Sequence, residues 1–318
     1  MELKSWANPE YEFDPESLDA LERHTRAEFT DLEDRIEYEA RVQKVRASAI
    51  AQSSGRFSKT VQSIAARVRR PKTKTLDFHP DVIKDGKIGG ILFKPKLPVL
   101  APGNTTTPTN PPPAPIDNSF WWAKSWFYGD NSGFDADPKD DGYHVTGSLK
   151  QPDSNQIQRV FNLTALYAIS PDRLPATDSG WYSSTPHVEL FGGVDNYSAM
   201  WDVLQGNSLS KIDMTLRQTI YQNQLAGPGQ SNRRILTQSE GTYNIMEMRN
   251  TGFARATPLP GFKLVPAAAF HESSLFRGDT LWAAVVVQFN IFLESSGSAV
   301  SSSPELLLRT FQWPLLGS

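Results

Sequence analysis

Seven basic side chains crowd into one short stretch, Arg56, Lys59, Arg67, Arg69, Arg70, Lys72 and Lys74. That density suits phosphate: each Lys or Arg that neutralises one releases counterions and gives salt-dependent affinity without sequence preference. A second partner for the same charges lies within the chain. Residues 1–50 carry a net charge of −6 and residues 53–96 one of +8, so an acidic helix could lie against a basic one, in the same subunit or a neighbour. A third reading is a basic amphipathic helix on a membrane surface.

Aromatic side chains form the next constellation. In the run Phe120 to Tyr128, an extended backbone places Phe120, Trp122, Trp126 and Tyr128 on one face and Trp121 and Phe127 on the other. Trp121, Trp122, Trp126 and Tyr128 are therefore candidates for the domain core, for a subunit interface or for a sugar-stacking platform.

The acidic run Asp130 to Gly142 offers Asp135, Asp137, Asp140 and Asp141 as oxygen ligands for Ca²⁺. It fails the EF-hand pattern, because Lys139 takes the fifth position from Asp135 and Thr146 the twelfth. The run reads as a solvated turn, with Ca²⁺ as the alternative.

Catalytic signatures do not emerge. The chain has no cysteine, hence no disulfide, thiolate metal site or cysteine nucleophile. It has no Walker sequence, nucleophile elbow or HExxH, and its five histidines are dispersed. No enzyme activity, metal or cofactor is expected, and a sugar-active enzyme is kept only as a third reading. The N-terminus lacks an apolar signal segment, so a protein of the cytoplasm or of a virion is expected, not one secreted through a signal peptide. The sequons at Asn104, Asn162 and Asn196 then read as chance. No apolar run approaches a membrane span.

Three segments must position these residues. Asp14-Pro15-Glu16-Ser17 is a helix start, and Leu18, Leu21, Thr25, Phe29, Leu32, Ile36 and Ala40 follow at steps of three and four, predicting a helix over 15–52. A second helix is predicted over 56–70 and stopped by Pro71. Together they make a charged helical arm, 1–93. Residues 94–116 are a Pro/Thr-rich linker, and about twenty residues of polyproline span roughly 60–70 Å.

Beyond it, over 117–318, the hydrophobic period falls to two. Candidate strands are Tyr143–Lys150, Phe161–Ile169, His187–Phe191, Ile212–Ile220, Arg233–Gln238, Gly241–Met248, Val285–Leu293 and Leu306–Trp313, with one short helix at Asn196–Leu204. The chain as a whole, 318 residues and 39% hydrophobic, can bury a proper core. The fold class is mainly β: an antiparallel, jelly-roll-like β-sandwich preceded by an α-helical arm and linker.

Arm, hinge and sandwich in this order suggest a self-assembling structural protein such as a virus coat, its homo-oligomer tied by arm exchange and residues 56–74 meeting nucleic acid. The alternative is a glycan- or receptor-binding sandwich on a helical stalk.

Overall fold

The computed structural model describes residues 4–7, 12–13, 15–52, 91–92, 119–120, 124–129, 132–139, 142–151, 156–169, 173–200, 207–227, 230–276, 281–295, 297–301 and 306–318. The basic stretch 56–74, the second predicted helix, the linker, Trp121, Trp122, Asp140 and Asp141 lie outside the described residues.

Eight principal strands carry the domain: β1 (Gly142–Lys150), β2 (Gln156–Ile169), β3 (His187–Phe191), β4 (Leu209–Gly227), β5 (Gln230–Arg249), β6 (Gly261–Leu264), β7 (Leu281–Glu294) and β8 (Leu306–Pro314). They pair antiparallel as β1 with β8, β2 with β7, β3 with β6 and β4 with β5. The chain is thus one long ribbon doubled back at the β4–β5 turn. Rolling the ribbon puts alternate pairs in opposite sheets, β1-β8-β3-β6 in one and β2-β7-β4-β5 in the other. That strand order is a jelly roll.

Shorter strands widen both sheets. Lys124–Tyr128 pairs with β2 and Lys4–Ala7 with Lys124–Tyr128, making a six-stranded sheet. Past β1 the other sheet continues through Ser298–Ser301, Gly193–Ser198 and Phe253–Pro258. Gly192, at φ 83, lets β3 break off and re-enter the sheet as Gly193–Ser198.

The period-two pattern explains the core. Phe161, Leu163, Tyr167, Met214, Leu216, Val287 and Phe289 point inward and are buried together with Val188, Leu190, Leu308 and Trp313 of the facing sheet. Among them sits a polar residue, Gln218 on β4. Its Nε2 donates to the carbonyls of Ser184 and Pro266, and its Oε1 accepts from Trp313 Nε1. One amide thereby links β4, the end of the short strand Trp181–Ser184, the loop at Pro266 and the opposite sheet, satisfying groups that burial would otherwise leave costly.

Three sequence expectations are corrected. The predicted helix at Asn196–Leu204 begins in a strand, because Asn196 has ladder partners on both sides, Arg255 and Ala299. The expected pair Arg233–Gln238 and Gly241–Met248 is one strand, β5: β4 continues opposite the break, with Leu216 facing Gly241. The run Asp130 to Gly142 contains a strand, Phe134–Lys139, hairpin-paired to β1 because Phe134 and Ala136 find places in the core.

Candidate functional site

One helix, α1, spans Pro15–Gln52, about 57 Å at 1.5 Å per residue. It crosses the outer face of the six-stranded sheet. Sidedness on that sheet follows from its pleat. Residues of β2 with odd numbers from 161 to 169 enter the sandwich, so Val160, Leu166 and Ala168 face outward, beside Trp126 and Tyr128 on one flank and Trp282 and Tyr221 on the other. Phe29 and Ile36 of α1 bury themselves in this apolar floor, with Leu32 packed between them. Phe29 stacks on Tyr128 at 5.5 Å, and Tyr221 on Trp282 at 6.4 Å.

Charge also ties the helix down. Burial lowers the Lys124 ammonium below its ordinary pKa, and the carboxylate of Glu22 on α1 pulls it back up. Burial raises the Tyr128 phenol well above its usual range, with Glu22 adding to the effect. Toward its far end α1 changes character. No described side chain from Glu37 to Val45 is buried, and the Glu37–Arg41 pair, at 3.1 Å one turn apart, supports this part of the helix from within. Its half-buried apolar residues Tyr38, Val42 and Val45 lie about half a turn around the helix from the Phe29, Leu32 and Ile36 stripe. Ala40, expected on the docked stripe, is exposed.

Beside Phe29 the helix and sheet leave a cavity of about 190 Å³, between Glu28, Asp31 and Arg35 above and Asn162, Thr164 and Arg217 below. Glu28 and Arg35 are exposed, so it is reached from solvent.

The outer face of the other sheet holds a second polar group. Glu189 is buried on β3 and accepts from Arg309 Nε on β8, whose guanidinium lies over the Phe191 ring. Burial raises the Glu189 pKa, and Arg309 offsets part of that rise. Two residues away along β3, His187 packs on Phe262 at 5.0 Å, and burial lowers its pKa from 6.5 to about 4. A base whose folded pKa lies below its unfolded one contributes stability above pH 6.5 and loses it as pH falls toward 4. The protein is expected to lose roughly 3 kcal/mol through His187 over that window. The raised Glu189 pKa works in the opposite direction, favouring the fold as pH falls. Melting temperatures at pH 7 and 4.5 should fall more for the parent than for His187→Phe, since Glu189 acts alike in both.

Of the aromatic candidates that are described, Trp126 (0% exposed) and Tyr128 lie beneath α1. Neither offers an open face to a sugar. Of the acidic candidates, Asp135 and Asp137 are exposed on the Phe134–Lys139 strand, and Asp137 pairs with Lys139 at 3.7 Å. Among the described residues no group of three or more His, Cys, Asp or Glu is placed to hold a metal. The described sequon residues Asn162 and Asn196 are buried, so neither presents its amide for glycosylation in the folded chain. No described helix is long and apolar enough to cross a membrane.

No family model and no curated protein matches this chain. A solved carbohydrate-binding module, TmCBM61 in complex with β-1,4-galactotriose, aligns with 10% identity over 58% of this chain and 88% of its own, at a TM-score of 0.17. A likeness at that level carries no argument about this chain.

Sequence reasoning missed the Glu189–Arg309 pair, the Gln218 links and the cavity floor. The floor had a signal: Leu166, Ala168, Trp282 and Ala284 make β2 and β7 apolar on both faces, as strands covered on both sides are.

Proposed function

We propose that this chain is a non-enzymatic shell subunit, a coat protein whose jelly roll builds the wall and whose arm ties neighbouring copies together. The observation that carries the reading is the two-sided character of α1. One apolar stripe, Phe29, Leu32 and Ile36, is spent on the sheet, and a second, Tyr38, Val42 and Val45, faces the other way on the part of the helix, Glu37 to Val45, where no described side chain is buried. A helix with opposed stripes suits a connector between two bodies. The linker composition adds the reach for α1 to dock on its own sheet or on a neighbour's. In this reading residues 56–74 contact nucleic acid.

Light scattering and negative-stain microscopy of the full chain test it. Closed shells or large rings are expected, and Tyr38→Asp with Val42→Asp should reduce them to small species of unchanged β content. A monodisperse monomer or trimer at high concentration would sink the reading. Glycan recognition, the second reading, retains one observation in its favour, the polar cavity beside α1.

A further inference from the structure

We infer that the cavity between α1 and the outer sheet face is a binding site for a single neutral sugar ring. Its floor carries two polar atoms that burial has not satisfied. Asn162 is 5% exposed, and its Oδ1 accepts no hydrogen bond from the protein; the buried Nε of Arg217 donates none. Folded proteins seldom keep such atoms without a partner; in a cavity reached from solvent water supplies one, and the hydroxyls of a ligand can take its place.

The chemistry of the lining selects the ligand. Asp31 and Arg35 bring opposite charges to the rim, so a ligand of either net charge meets a like charge there. A hydroxyl both donates and accepts, and so answers the Asn162 acceptor, the Arg217 donor and the Thr164 hydroxyl with one kind of group. Phe29 supplies an apolar wall for the C–H face of a pyranose. At about 190 Å³ the space lies below the roughly 300–1,000 Å³ of pockets for drug-sized ligands. One ring fits it. The same cavity forms whether α1 comes from its own chain or from a neighbour, so the shell reading stands whether or not a sugar binds.

The experiment is saturation-transfer NMR and calorimetry on the full chain with methyl glycosides of glucose, galactose, mannose and N-acetylglucosamine as probes. At least one should bind with a dissociation constant on the order of millimolar. Asn162→Leu should weaken that binding tenfold or more while leaving the melting temperature equal or higher, because the variant removes an unsatisfied acceptor. Should Asn162→Leu fail to fold, Thr164→Val and Arg217→Gln carry the same test. No transfer from any probe at about 20 mM, well above a millimolar constant, would overturn the site, as would undiminished binding in the folded variants. Light scattering of the same samples reports assembly separately.

Discussion

Replacing Phe29 and Ile36 together by Asp is expected to lift α1 off its sheet. Each side chain is buried against aromatic or aliphatic partners, and losing one large apolar contact of this kind costs about 2–5 kcal/mol. The aspartates would not stay buried. Desolvating two unpaired carboxylates costs more than letting the helix go, so the total loss is capped at the docking free energy of α1, roughly 5 kcal/mol. What remains is a sheet face with Trp126, Tyr128, Trp282 and Tyr221 uncovered. A hydrophobic dye should bind the variant and not the parent, tryptophan emission should shift red, and protease should cut the arm first. Glu37→Ser, on an exposed part of the same helix, should change none of these. If the double variant behaved like the parent, α1 would not rest on this face.

Arg309→Met is the second large effect. It removes the partner of a buried carboxylate, and breaking such a pair from one side costs about 3–5 kcal/mol. Glu189 already has a raised pKa because burial outweighs the help from Arg309. Without Arg309 it rises further. A carboxyl with a raised folded pKa favours the fold at low pH and loses that contribution as pH rises through the folded value. Denaturant titrations should therefore show the variant far weaker than the parent at pH 7 and closer to it at pH 5. Glu189→Leu combined with Arg309→Met should recover most of the loss, since an apolar pair carries no desolvation penalty. A variant equally weakened at both pH values would mean that Arg309 acts through packing on Phe191.

Much of the fold was legible. Apolar residues at every second position over Phe161–Ile169 and Val285–Leu293 mark strands with one face in a sandwich; the eight segments read this way fall on seven of the roll's strands, two of them in β5, while β6, only four residues long, was not read. The helix start at Asp14-Pro15 and the three-four spacing to Ile36 were equally readable. The corrected elements share a cause: local composition was overruled by partners far along the chain. Asn196 looks helical until Arg255 and Ala299 pair with it, and Gly241 looks like a break until Leu216 faces it.

The site was less legible for the same reason. Asn162 and Arg217 meet only because β2 and β4 each pair with β7, and α1 adds its rim from more than a hundred residues upstream. Nothing local in Asn162-Leu163-Thr164 distinguishes a cavity floor from a chance sequon.

The floor on which α1 lies has an order in time as well as in space. It is assembled from Lys124–Tyr128, β2, β4 and β7, segments that meet only as the ribbon rolls up from its β4–β5 tip. Neighbouring strands along the chain close early, while pairings such as Tyr143 with Leu308 must wait for the slow closure of a long loop. The helix has no dock until that work is well advanced, although it precedes the domain in the chain. Two unshielded tryptophans therefore face the medium during the late steps of folding, and the first α1 to arrive, from the same chain or another, decides whether the product stands alone or is joined to a neighbour.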